Sequence, residues 1–345
     1  MENELWKYLK ETDKPIVLYG MGNGADKIIS VLEKNEIEFK GIFASDGFVR
    51  NKVFHGHIIS SYRELKNRFG DMIVLLCFGS SRDEVLENVI KIKNETELFA
   101  PDVPVISGDI FTLDYYEQNK PRFDKIFNLL ADDLSRKTFI NTIKYKISGK
   151  IDYLFDCETT PDEPYESFLK LLDNEIFLDL GAYNGDTVLD FINRVNSYEN
   201  IIAVEADCKT FKKLIKLTEH LKNIECKNLC ISDKCGLFPF GMKHGRNSSS
   251  LGTDSLAEFI TVDELLKDKK VSFIKMDIEG EELNAISGAE NTIKTQKPKM
   301  LISCYHKTED LFTLPEKVFS IRNDYKIYMR HFKGLPAWDI NYYFI

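Results

Sequence analysis

Residues 175–187, EIFLDLGAYNGDT, limit what this chain can fold into more than any other stretch. The apolar run IFLDL suits a buried strand. It passes at once into Gly181 and Gly185, with Asn184 and Asp186 placed to cap a helix over TVLDFINRV. Strand, glycine turn and helix start, in that order, make a ligand cradle. Glycine lets backbone approach a ligand, and the unpaired N–H groups of the first helical turn point outward. The pattern is D-x-G-x-x-x-G and differs from the dinucleotide fingerprint G-x-G-x-x-G. Taken alone, such a turn can equally be structural.

The strands beyond the turn settle the architecture. Apolar strand patterns at IFLDL (176–180), NIIAVEA (200–206), IECKNLCIS (224–232), VSFIKMD (271–277) and KMLISCYH (299–306) are mostly separated by helical patterns. That β-α-β-α rhythm predicts an α/β fold with a Rossmann-like, doubly wound parallel sheet. The chain ends differently: YKIYMRHF and WDINYYFI, joined by KGLPA, predict an antiparallel C-terminal hairpin.

A chain of 345 residues is long enough for a second domain. Residues 1–115 carry it. PIVLYG is a strand whose turn holds Gly20, Gly22 and Ala25 in G-x-G-x-x-G/A order. FKGIFASD ends in Asp46, where a ribose-binding acid would sit. The strand DMIVLLCFG, a helix and VPVISGD complete a smaller Rossmann-like half. This half serves substrate recognition or dimerisation, binds a nucleotide or nucleotide-sugar, or holds NAD. Residues 116–172 read as a helical bridge, with Asp132, Asp133 or Ser135 capping its second helix, and 173–345 form the main domain.

Ligands of open parallel sheets bind beyond the carboxyl ends of the strands. The five strands of the main domain end there in Asp179, Glu205, Ser232 with Asp233, Asp277 and His306. Any one acid is easily a solvated cap, but five polar ends on one edge make a site. Glu205, 24 residues beyond Gly181, is placed to take both hydroxyls of an adenosine ribose, and Asp233 the adenine amine. No lysine comes after the glycines as in a P-loop, which disfavours a triphosphate. S-adenosylmethionine fits best, with S-adenosylhomocysteine as product. The expected cofactor set is Asp179, Gly181, Tyr183, Asn184, Gly185, Glu205, Ala206, Ser232, Asp233 and Asp277.

Composition bounds the partners. A net charge of −9 argues against nucleic acid, and no apolar run approaches the ~18 residues that span a bilayer. Seven cysteines and no amino-terminal export pattern predict reduced thiols and a cytoplasmic location. Cys226, Cys230 and Cys235 have the spacing C-x3-C-x4-C, which matches no zinc knuckle, and read as buried or strand-end thiols.

DLGAYNGDT, AVEAD, ISD, TVDEL, FIKMDIEGEELNAISGA and CYHKTEDL together resemble the FkbM-type S-adenosylmethionine-dependent methyltransferases, over roughly residues 120–345. The resemblance implies methyl transfer to a hydroxyl of a sugar, glycan or secondary metabolite. It places Asp179, Gly181 and Gly185 on the cofactor, Glu205 on its ribose and Asp233 on its adenine. Tyr183 stands where many other methyltransferases carry a third glycine, implying a more closed cradle.

An acceptor hydroxyl needs a general base. His306 is the expected base, with Asp277 orienting it or binding substrate, although a strand-end histidine also has a purely structural use. No metal is assigned, yet the donors of Asp277, Glu279 and His306 would suit magnesium or manganese. Tyr165, Ser249, Ser250, Lys275, Glu279 and Tyr305 are candidate acceptor contacts, and His331 faces either the pocket or a sheet. Two rival functions stay open: an NAD-dependent oxidoreductase or sugar-nucleotide enzyme using Gly20, Gly22, Ala25 and Asp46, and a non-catalytic nucleotide-binding scaffold.

Overall fold

The computed structural model describes residues 3–45, 52–106, 108–240 and 255–345. Six strands make the amino-terminal sheet: β1 (Ile16–Tyr19), β2 (Gly41–Phe43), β3 (Val53–Phe54), β4 (His57–Ser60), β5 (Ile73–Leu76) and β6 (Glu97–Phe99). Their order is β3-β4-β2-β1-β5-β6, and every pairing is parallel except β3 with β4. Strands β1 and β5, IVLY and IVLL, are buried at every position, as expected of parallel strands covered on both faces. The last strand is not VPVISGD. Pro104 deprives that segment of a ladder donor, and ELF at 97–99 closes the sheet instead.

Helices Leu113–Leu129 and Asp133–Ser148 come next, so the first begins inside the stretch expected to belong to the amino-terminal domain. Asp132 caps the second by accepting from Ser135 N at 2.8 Å. The bridge is not wholly helical, because β7 (Glu158–Thr159) lies within it.

The main sheet contains β8 (Ile176–Leu180), β9 (Asn200–Val204) and β10 (Ile224–Lys227). A small side sheet comprises β11 (Cys230–Ile231), β12 (Gly236–Phe240) and β13 (Ser255–Ile260). The main sheet resumes with β14 (Phe273–Met276), β15 (Lys299–Ser303), β16 (Ile327–Phe332) and β17 (Ile340–Phe344). Its order is β10-β9-β8-β14-β15-β17-β16-β7. The first five strands run parallel, and β16 and β17 form the expected antiparallel hairpin, with β17 inserted against β15.

IECKNLCIS does not form one strand. Asn228 breaks it by donating to the carbonyls of Glu205 and Ala206 at 2.8 and 3.0 Å, and Cys230–Ile231 leaves to pair with β13. The β12–β13 hairpin lacks a clear sequence signal because Pro239 interrupts its first strand.

The two sheets share a core. One apolar cluster runs from Val17 and Val74 through Phe123 and Phe139 to Met329 and Phe344. Near the carboxyl end, Ser80 and Leu335 exchange backbone hydrogen bonds of 2.8 and 3.0 Å. Trp338 packs so tightly on Gly79 that a Cβ there would lie 2.2 Å from the indole. Lys146 meets both oxygens of Asp102 at 3.0 Å in the buried seam. Among the described residues no helix is long and apolar enough to cross a membrane.

Candidate active site

Strand order reverses at β8, which has β9 on one side and β14 on the other. The crevice beyond the carboxyl ends of these strands is the topological switch point of the sheet, where such folds bind ligands. The turn that fills it is held in left-handed backbone at three positions: Gly181 (φ +83°), Tyr183 (φ +46°) and Gly185 (φ +97°). Gly181 admits no side chain, because a Cβ would lie 1.9 Å from the Asp277 carbonyl oxygen. Tyr183 adopts a glycine-like conformation, which costs about 1 kcal/mol or more, and its side chain is 52% exposed. Gly185 precedes helix Asp186–Arg194 at the N-cap position, and Asn184 Oδ1 accepts from Asp186 N at 3.2 Å.

Glu205 locks the turn to the next strand. One carboxylate oxygen accepts from Tyr183 N at 3.0 Å and the other from Asp207 N at 2.7 Å. Burial nevertheless pushes its pKa up. Ala206 comes next, with its carbonyl tied to Asn228. Ser232 is buried and donates to the exposed Asp233 at 3.2 Å. Asn228 and Asp207 are supports that the motif reading missed.

Two expected ligand contacts lie beneath the cradle instead. Asp179 is fully buried, accepts from Thr187 Oγ1, and sits opposite Lys275 in the β8–β14 register with Nζ at 3.4 Å. Burial raises its pKa, and its Oδ1 lacks a hydrogen bond. Lys275 donates to the Gly181 carbonyl at 2.9 Å. Burial draws the Lys275 pKa down, but Asp179 and Asp277 outweigh that and hold it above the usual value. At 7% exposure Lys275 has no surface for an acceptor, so its expected role as a substrate contact is corrected to that of a brace under the turn.

On the other side, four carboxylates gather around one imidazole. His306 Nε2 lies 3.5 Å from Asp277 and 3.8 Å from Glu279, and Nδ1 lies 3.0 Å from Glu282. Neither ring nitrogen meets hydrogen-bond geometry despite these approaches. Tyr305 OH donates to Asp277 Oδ1 at 3.1 Å, and burial raises the phenol's pKa. Burial would lower the His306 pKa, but Glu282, Asp277 and Glu279 carry it up to about 9. Burial and Glu282 lift Asp310 to about 7. His306 is 1% exposed and holds its proton at neutral pH, so it is not the accessible free base the sequence suggested. The side chains of Asp277 and Glu279 are 32% and 51% exposed, so these two carboxylates form the open side of the cluster. Glu282 escaped the sequence reading because an acid in the first turn of a helix reads as a cap.

The remaining candidates divide. The ring of Tyr165 is covered by the Arg194 guanidinium, 3.9 Å away. His331 is fully buried in the sheet, and burial pushes its pKa down to about 4. Ser249, Ser250 and Asp46 lie outside the described residues. In the amino-terminal turn, Gly20 and Gly22 have positive φ, and a Cβ on Gly24 would strike the Cys77 carbonyl at 2.2 Å. Helix–strand contact therefore accounts for Gly24. That region also reaches the main site: a Cβ on Gly280 would lie 2.7 Å from Ile106, and Thr308 donates to the Asp109 carbonyl at 2.6 Å.

Residues 179–325 match the profile of the methyltransferase FkbM domain. The crystal structure of the methyltransferase FkbM from Methylobacillus flagellatus KT aligns with a TM-score of 0.75 over 96% of this chain and 90% of its own, at 23% identity. A precorrin-6y C5,15-methyltransferase from Geobacter metallireducens GS-15 is a distant likeness, with a TM-score of 0.34 over 51% of this chain and 81% of its own at 12% identity. No curated protein matches the sequence. The stretch 179–325 thus carries the similarity to the methyltransferase FkbM domain.

Proposed function

We propose that the protein transfers a methyl group from S-adenosylmethionine to a hydroxyl of a small acceptor of the sugar, glycan or secondary-metabolite class. The observation that carries this reading is the cradle at the switch point, with left-handed Gly181 and Gly185 and the Glu205 carboxylate at its edge. A glycine-bearing turn that leads into a helix N-terminus suits a cofactor with a ribose at Glu205 and an adenine at Asp233. The cofactor supplies an already activated methyl group.

The protein's tasks are to align the acceptor and remove its proton. Asp277 takes the proton, because its partly exposed carboxylate follows β14 directly beside Gly181 of the cradle. His306 and Tyr305 act behind it as positioning residues, fixing the carboxylate from two directions. Ile106, which packs on Gly280, and Asp109, whose carbonyl accepts from Thr308, add amino-terminal residues to the rim that an acceptor meets.

Calorimetric titration with S-adenosylmethionine, S-adenosylhomocysteine and NAD tests the reading. The first two should bind at micromolar strength, and Glu205→Ala should abolish that binding. NAD binding alone would move the active site to the first hundred residues.

A further inference from the structure

We propose that Asp277, Glu282 and His306 form a divalent-cation site beside the cradle; it deepens the methyl-transfer reading and rests on it only for its catalytic use. One oxygen of each carboxylate and a ring nitrogen lie within 4.8 Å of one another, a span that one ion can bridge. The cluster is more than a group of acids. His306 is buried, and neither of its nitrogens makes a hydrogen bond. Glu282 is completely buried, and its Oε2 is also without a partner while Oε1 accepts from Ile278 N at 2.9 Å. Buried donors and acceptors left unsatisfied are costly and rare in native proteins. One ring nitrogen of His306 and the Glu282 carboxylate belong to that 4.8 Å cluster with Asp277.

Electrostatics favours the same occupant. The carboxylates of Asp277, Glu279 and Glu282 lie 3.5, 3.8 and 3.0 Å from the nitrogens of this ring. That much negative charge around a buried ring calls for a positive charge in its midst. A proton on His306 is the minimal answer, and a divalent ion is the fuller one. Two carboxylates and one imidazole suit manganese or zinc better than a thiolate-seeking metal. The mixed exposure also fits an open coordination site: Glu282 and His306 hold the ion from the buried side, and half-exposed Asp277 leaves its outer side free. An acceptor hydroxyl bound there would lose its proton more readily, to the Asp277 oxygen that does not hold the ion, which is Lewis-acid activation. No atom or electron beyond that proton changes hands.

Chelator-stripped protein titrated with Mn2+ provides the test, with free Mn2+ read from its electron paramagnetic resonance signal. One equivalent should bind. Asp277→Asn, Glu282→Gln and His306→Gln should each weaken it by at least the roughly 10–100-fold that loss of an outer-sphere partner costs. The wild-type protein supplies a second readout that needs no variant. Of its six histidines, one should have its ring proton resonances broadened first by substoichiometric Mn2+. Absence of stoichiometric binding, or binding unchanged in His306→Gln and Glu282→Gln, overturns the site. S-adenosylhomocysteine titrated in parallel keeps the two readings apart: its binding without Mn2+ removes the metal alone, and Mn2+ binding without it upholds the metal and removes the methyl-transfer reading.

Discussion

The two flanks of β8 solve the problem of building a site in opposite ways. Toward β9, one continuous stretch of chain does nearly everything: glycines shape the backbone, and Glu205 fastens the turn through two N–H groups. Toward β14 and β15, side chains from separate segments meet, and their charges rather than the backbone define the place. The first construction depends on steric fit and should fail abruptly when a single atom is added. The second depends on charge balance and should respond in a graded way to pH and to ions.

Four measurements sharpen or break that contrast. The largest effect is expected for Gly181→Ala, whose methyl group must enter the Asp277 carbonyl. S-adenosylhomocysteine binding should vanish, or the protein should not fold; near-normal affinity would refute the steric account of the cradle. Next is Lys275→Met, which strands the buried Asp179. Chemical denaturation should show a loss of about 3–5 kcal/mol, as for other broken buried pairs.

The third concerns the acid cluster in chelator. His306 keeps its proton at pH values where an unfolded histidine has lost it. Its contribution is therefore complete below about pH 6.5 and disappears as pH rises through about 9. Thermal stability should fall across that window, and His306→Gln should flatten the slope. A parallel wild-type and variant profile would remove His306 from the balance. The smallest effect is expected for Tyr183→Gly, which relieves left-handed strain and should raise stability by about 1 kcal/mol, read from the denaturation midpoint.

The same contrast explains what the sequence could disclose. The cradle was legible because a strand, two glycines and a capped helix succeed one another without interruption. The carboxyl-terminal hairpin was legible because its two apolar runs are separated by a short loop. The β12–β13 hairpin was hidden by Pro239, and the break at Asn228 depends on carbonyls more than 20 residues away in the chain. Within the site, residue identity outran environment. His306, Asp277 and Lys275 were all singled out. That Lys275 lies under the turn and His306 behind Asp277 depends on which strands become neighbours, which local pattern does not encode. Glu282 was lost for the same reason, since only the fold brings it against the imidazole.

The seam between the sheets has a consequence for synthesis. Gly79 and Ser80 are sealed by Trp338 and Leu335, and Asp83 is paired with Lys333 from 250 positions later. A ribosome adding 5–20 residues per second needs on the order of 10–50 s to deliver those partners. For that interval the amino-terminal sheet waits with an unsealed flank. Because the last dozen residues also supply β17, inserted between two other strands, they close both sheets at once. A nascent chain released before residue 335 would thus leave both halves unsealed.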